Sequence, residues 1–469
     1  MKIPFIKLIQ SPYYYYFFDV NKNQLLRIPE AAYRNLEQWL QSGVEPIGDS
    51  TINRLIKMGY LSSNKAEKIE HPLTGKLKEL METQMTMLIL QLTQGCNLRC
   101  SYCIYSDHYS PSQRSHSSKR MSYDTAVKAV DYFMKHSVDN PRAIIAFYGG
   151  EPLLEFPLLC SIVEYIKNHY PDREVIYNFT TNGTLLTREI MEYCDQNHIY
   201  FMISLDGPEK IHNVSRRYAV NGKGSYADVI KNIKYMKENY PELHRRLNIS
   251  MVVDEKNDYD EIAKIFDDPV MDGISNFYIA GIDDKYSAEK TLHFYSYYEK
   301  EQYNRFLGLL EYTLDGSYSG KNAMVKEDVR QIDMVKDDLT PADGIPPVFA
   351  PGGPCTPGQT KLFVSTEGKF FPCERVSELS ACNCIGNLED GIDLAAVSKI
   401  LNIGQLSEDK CRNCWAFSHC KLCLVYADDN GRLSGDFKTA SCETVQKEME
   451  ERFRTYIAVK ECREIWRKR

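Results

Sequence analysis

Cys96, Cys100 and Cys103 lie in the run Leu92-Thr-Gln-Gly-Cys-Asn-Leu-Arg-Cys-Ser-Tyr-Cys103. Three cysteines spaced x3 then x2 can take three corners of a cubane iron–sulfur cluster. The fourth iron then has no protein ligand, and an open iron is what chemistry needs. Two plainer readings compete. Zinc would ask for a fourth nearby ligand, and His108 is close enough in sequence to supply it. Disulfide-bonded structural cysteines are the other.

A second cysteine group lies near the end of the chain. Cys355 is followed by Gly368-x4-Cys373, then by Cys411-x2-Cys414-x5-Cys420-x2-Cys423, and finally by Cys442. Paired Cys-x2-Cys units serve zinc as well as iron–sulfur clusters. Cys382 and Cys384 stand between the two halves of this group. Cys160, Cys194 and Cys462 sit on helical patterns and read as packing residues. Glu374, directly after Cys373, reads equally as a proton-accepting base or as a salt-bridged residue.

With 43% hydrophobic and 26% charged residues the chain has the composition of an ordinary soluble protein, and its 469 residues suffice for about three domains. A net charge of −7 argues against a phosphate-binding surface, so nucleic acid is not an expected partner. The first residues are broken by Pro4 and Lys7 and lack the apolar stretch of a signal peptide. No run of about 18 apolar residues is present to span a membrane. The expectation is a cytoplasmic protein, whose 15 cysteines serve as ligands rather than disulfides.

The elements that must position these cysteines fall into three blocks. Residues 1–75 give two strands, Tyr13 to Asp19 and Gln24 to Ile28, then helices over Ala31 to Gln41 and Ser50 to Met58. This predicts a small winged-helix-like domain. From about Met85 strands alternate with helices. The strands are Thr86–Leu92, Arg142–Tyr148, Glu174–Thr180, Tyr200–Leu205, Leu247–Val253 and Asn276–Gly281. Six such units, spanning 85–300, predict an α/β fold with a parallel sheet, a partial (β/α)6 barrel. Polar motifs follow the strand ends, where such folds collect their function. They are the cysteine run, Gly149-Gly-Glu-Pro152, Thr180-Thr-Asn-Gly-Thr184 and Ser204-Leu-Asp-Gly-Pro208. A helix over Leu292 to Thr313 leads into a charged, proline-rich connector, with 301–350 read as a linker and 351–469 as a cysteine-rich domain ending in a helix.

Taken in order, these motifs resemble the radical S-adenosylmethionine (SAM) family, including the aromatic Tyr102 before the third cysteine. The resemblance covers Thr86 to about Gly281. It implies that Gly149, Gly150 and Glu151 lie beside the methionine amino group of SAM. Asn182 and Ser204 would supply polar contacts, and Arg216 would pair with the SAM carboxylate. The C-terminal block resembles the SPASM extension, which carries two auxiliary [4Fe-4S] clusters. That likeness implies Cys411, Cys414, Cys420 and Cys442 around an outer cluster, and Cys355, Cys373 and Cys423 around an inner one. One spacing departs from it: x2 before Cys423, where the family usually has x3. The fourth inner ligand would be Cys382 or, preferably, Cys384. Alternatively that iron stays open for a substrate thiolate. A base at Glu374 would stand where sulfatase-maturating members carry an aspartate.

The whole chain resembles thioether-forming maturases of cysteine-rich ribosomal peptides, of the sactipeptide and ranthipeptide kind. This implies three [4Fe-4S] clusters, SAM as cosubstrate, and a ribosomal precursor peptide whose leader docks on a sheet edge of the first domain. An electron donor such as flavodoxin or ferredoxin would complete the system. Three alternatives stand beside it: a sulfatase-type maturase making formylglycine, a carbon–carbon peptide cyclase, and a non-enzymatic iron–sulfur or zinc regulator.

Overall fold

Alternation in Tyr15–Asp19 fixes the first layer. A computed structural model describes residues 3–105, 116–274, 276–283, 285 and 292–467, so His108 lies outside the described residues. Strands β1 (Ile6–Gln10), β2 (Tyr15–Asp19) and β3 (Gln24–Ile28) form an antiparallel sheet in that order. Successive side chains of a strand face opposite ways. Phe17 therefore packs with Tyr33, Leu36 and Trp39 under the helices Glu30–Ser42 and Ser50–Lys57, while Tyr16 and Phe18 pack the other way, against Phe453 and Ile457. The second helix starts where Asp49 accepts from the backbone N–H groups of Thr51 and Ile52. The sequence predicts only two of the three strands. Strand β1 follows the Pro4 break, and its charge at Lys7 hides the alternation.

A short β4 (Lys68–Ile69) leads into the barrel. Strands β5 (Met87–Thr93), β6 (Arg142–Gly149), β7 (Glu174–Thr181), β8 (Tyr200–Ser204), β9 (Asn248–Val253) and β10 (Asn276–Gly281) run parallel, each paired with the next. They match the expected strands to within about a residue at each end. Leu88, Leu90, Ile145 and Ile203 are wholly buried, because helices cover the sheet. The helices Tyr123–Lys135, Phe156–His169, Arg188–Gln196 and Tyr226–Asn239 supply that cover.

Two features differ from the sequence expectation. The stretch read as a linker is helical. Tyr295–Asp315 is followed by a second helix, Ala323–Asp338, and both pack on the C-terminal helix Cys442–Trp466 around Tyr312, Val329, Ile332 and Val459. The charges of Ala323–Asp338 are the solvent side of an amphipathic helix. The cysteine-rich block is also joined to the barrel sheet. After β11 (Val348–Phe349), which pairs with β4, come β12 (Leu362–Val364), β13 (Lys369–Phe371), β14 (Gly386–Asn387) and β15 (Gly391–Ile392). Strand β12 adds to β5 in parallel, Leu362 opposite Leu88, so one ten-stranded sheet runs from β10 to β15. Strand β13 runs antiparallel to β12, so Cys373, just past its end, lies on the side of the sheet where β5 begins. Among the described residues no helix is long and apolar enough to cross a membrane.

Candidate active site

The loop bearing Cys96, Cys100 and Cys103 leaves the carboxyl end of β5 and is held from three sides. Gly149, at φ +146°, ends β6 against it; a Cβ there would stand 2.2 Å from the carbonyl oxygen of Thr93. A Cβ on Gly150 would meet the carbonyl oxygen of Gly95 at 2.2 Å. The backbone N–H groups of Gly150 and Glu151 donate to those same two oxygens at 2.9 Å. These glycines are thus demanded by the close approach of the cysteine loop.

Glu151 is fully buried. Its Oε1 accepts from the Leu153 backbone N–H (3.1 Å) and Thr181 Oγ1 (2.8 Å), and its Oε2 from the Asn182 backbone N–H (2.8 Å). Burial pushes its carboxyl up from 4.5 to about 7, against hydrogen bonds that favour the charged form. Asn182 Nδ2 donates to Asn97 Oδ1 at 2.8 Å and lies 3.8 Å from Cys96 Sγ. Asn97 in turn donates to Thr184 Oγ1.

The third side is an ion pair. Arg216 Nε donates to Asp206 Oδ2 at 2.8 Å, its Nη1 is 4.0 Å from Cys100 Sγ, and its guanidinium lies 5.4 Å from the Tyr102 ring centre. The Tyr102 hydroxyl donates to the same Asp206 oxygen. Asp206 Oδ1 accepts from the Val252 backbone N–H. Behind this pair His212 bonds Ser225 Oγ at 2.9 Å. The half-buried Ser204 makes no side-chain hydrogen bond among the described residues. Sequence reasoning singled out Arg216 but missed its partner: Asp206 stood inside a quoted motif, and nothing in its spacing announces an ion pair. Asn97 and His212 were missed too, since a lone polar residue carries no pattern.

The remaining cysteines gather in two places. Cys411, Cys420 and Cys442 lie close enough to Cys414 to raise its thiol, on top of burial, which together take it up to about 11. Cys355, Cys373 and Cys423 line one cavity of about 200 Å³, together with Arg375, Lys421 and Tyr426. Cys382 and Cys384 do not line it. Cys382 Sγ faces Ser380 Oγ and Asp428 Oδ1, and Cys384 Sγ donates to the Gly386 carbonyl oxygen at 3.5 Å. Glu374 is ion-paired with Lys361 Nζ at 3.0 Å.

The donor chemistry fits iron–sulfur clusters. Burial pushes the Cys96 and Cys100 thiols up to about 12, so left to themselves they would stay protonated. A bound metal centre deprotonates such thiols outright. Among the described residues no three Cys, His, Asp or Glu side chains crowd round one point as a single metal ion requires. A cubane stands between its thiolates and keeps them further apart.

Comparison with known proteins identifies the domain that carries the first of these sites. Residues 90–268, from mid-β5 past β9, match the radical SAM superfamily. The chain carries a radical SAM domain. An uncharacterised protein of Methanocaldococcus jannaschii is 37% identical over 37% of this chain, which spans about half (54%) of that relative. The radical SAM cyclopropyl synthase TigE of Paramaledivibacter caminithermalis is 24% identical over 80% of this chain and 76% of its own. A cysteine-type anaerobic sulfatase-maturating enzyme of Clostridium perfringens is 23% identical over 72% of this chain and 88% of its own. The solved structure of native anSMEcpe with bound AdoMet and Kp18Cys peptide shares the fold, with TM-score 0.54 and 20% identity over 81% of this chain and 99% of that one.

Proposed function

We propose that this radical SAM enzyme is a maturase that joins a cysteine sulfur to a carbon atom within a ribosomally made, cysteine-containing peptide. In this reading Cys96, Cys100 and Cys103 hold the cluster that binds SAM. Cys411, Cys414, Cys420 and Cys442 hold an outer auxiliary cluster, and Cys355, Cys373 and Cys423 an inner one. When bound, these cofactors would supply the electron that splits SAM, the 5′-deoxyadenosyl radical that takes a substrate hydrogen, and an auxiliary-cluster acceptor for the electron released as the thiolate bonds to carbon.

The chain's own residues position and shield. Gly149 and Gly150 let the end of β6 grip the cysteine loop, and Asn182 braces that loop through Asn97. Asp206 fixes Arg216 by its Nε and Cys100 Sγ lies 4.0 Å from its Nη1, so Nη2 is the group that would meet a carboxylate such as that of SAM. Ser204, whose hydroxyl makes no hydrogen bond among the described residues, ends β8 just before Asp206. The sheet β1–β3 would hold the leader of the peptide on an open edge. A donor such as flavodoxin or ferredoxin would deliver the electron.

The observation that carries the thioether reading is the inner cavity: three cysteines line it, and neither Cys382 nor Cys384 joins them. It leaves room for a thiol from the substrate. The test is coexpression with a cysteine-containing precursor peptide and mass spectrometry of the product. A thioether removes two hydrogens per link, resists dithiothreitol and iodoacetamide, and blocks fragmentation inside the ring. Formylglycine formation is the second reading, favoured by the likeness to the sulfatase-maturating enzyme over most of that protein's length. It would show as an aldehyde. A carbon–carbon cyclase would leave every thiol free.

A further inference from the structure

Among the described residues Lys438 is the one buried lysine, 2% exposed. Its ammonium meets no carboxylate among the described residues. Instead Nζ donates to Ser407 Oγ at 2.8 Å and lies 3.5 Å from Cys411 Sγ. The placement is built rather than incidental. Lys438 rides on the short helix Gly435–Thr439, and a Cβ on Gly435 would stand 2.2 Å from the carbonyl oxygen of Leu406. That contact seats the helix against the segment carrying Ser407. A buried charge with no counter-ion is costly to keep, so the geometry calls for an anion where the four sulfurs lie.

We propose that Lys438 is the built-in counter-charge of the outer cysteine set. It is a positioning residue that hydrogen-bonds the Cys411 thiolate and raises the reduction potential of the cluster held by Cys411, Cys414, Cys420 and Cys442. The proposal rests on the reading that these four cysteines hold an iron–sulfur cluster. Four thiolates around such a core leave it net negative, and one-electron reduction makes it more so. A fixed ammonium therefore favours the reduced state, since cluster potentials follow local charge and hydrogen bonds to sulfur.

The test uses the full chain, reconstituted anaerobically, titrated with dithionite and followed by electron paramagnetic resonance. Lys438→Met is expected to keep its iron and shift the outer cluster to a lower potential, and Lys438→Arg to restore most of the shift. A second measurement needs no reduction. In the iron-free chain Lys438→Met should raise thermal stability, because it removes an unpaired buried charge, whereas in the loaded chain it should lower it. Full iron with an unchanged potential, or the same sign of stability change with and without iron, overturns the counter-charge. If Cys411→Ser loses no iron, the outer cluster itself is wrong and the proposal falls with it.

Discussion

Arg216 Nε and Asp206 Oδ2 lie 2.8 Å apart with side chains only 8% and 5% exposed, which makes this the most enclosed ion pair among the described residues. It ties the loop after β8 to the cysteine loop after β5, since Tyr102 donates to the same carboxylate. Removing one partner of a buried pair strands the other charge. Asp206→Ala should therefore destabilise the iron-free chain by about 3–5 kcal/mol in denaturant unfolding. A loss below 1 kcal/mol would mean that the pair is not buried in solution.

His212, wholly buried behind that pair, gives a pH signature. Burial, helped by the Arg216 guanidinium, pulls its imidazole down from 6.5 to about 3. The folded chain keeps His212 neutral while the unfolded chain protonates it, so its contribution is full above pH 6.5 and is lost as pH falls toward 3. Within that window the wild type should lose stability more steeply than His212→Gln, by up to about 1.4 kcal/mol per pH unit. Urea unfolding of both proteins at a series of pH values checks this. Parallel curves would contradict it.

The first domain is not a detachable head. The Phe18 ring packs tilted at 4.9 Å against Phe453 of the C-terminal helix and edge-on at 6.3 Å against Trp415, which lies between Cys414 and Cys420, and Glu461 accepts from Tyr16 and Ser11. Phe18→Ala should cost about 3–5 kcal/mol, the usual toll of emptying a buried aromatic site. Deleting residues 1–75 should abolish tight binding of a leader-bearing peptide and also strip the cover from the outer cysteine set. Calorimetry with the peptide reads the first effect and iron retention the second; unchanged peptide affinity would make this domain a scaffold only.

The barrel was legible because its strands recur between helical stretches and the first four are each closed by a polar motif. The run Cys96 to Cys103 was legible because its spacing is local, whereas the division of the later cysteines into two sets is what the SPASM resemblance implies. What escaped was whatever depends on partners distant in the chain. The addition of Leu362–Val364 to Met87–Thr93 joins residues about 275 apart, and no periodicity announces it. Asp206 and Lys438 are single charges whose meaning comes from burial. The helix Ala323–Asp338 was hidden because its apolar face, Val329, Ile332 and Val335, is diluted by charges on the other side. For Gly149 and Gly150 the residue type was right, while the neighbour that requires it is the cysteine loop itself.

Metal content tests the grouping of the cysteines. Three clusters imply roughly twelve irons per reconstituted chain, and replacing Cys96, Cys100 and Cys103 by alanine should leave roughly eight. Stoichiometric zinc with little iron would overturn the cluster assignment at all three places.

The most direct measurement is 5′-deoxyadenosine formed from SAM under dithionite, which needs no peptide. Wild-type protein is expected to produce it. The variant with Cys96, Cys100 and Cys103 replaced by alanine should produce none, while keeping the iron of the auxiliary sets. Production at the normal rate by that triple variant would contradict the central claim that these three cysteines hold the SAM-cleaving centre.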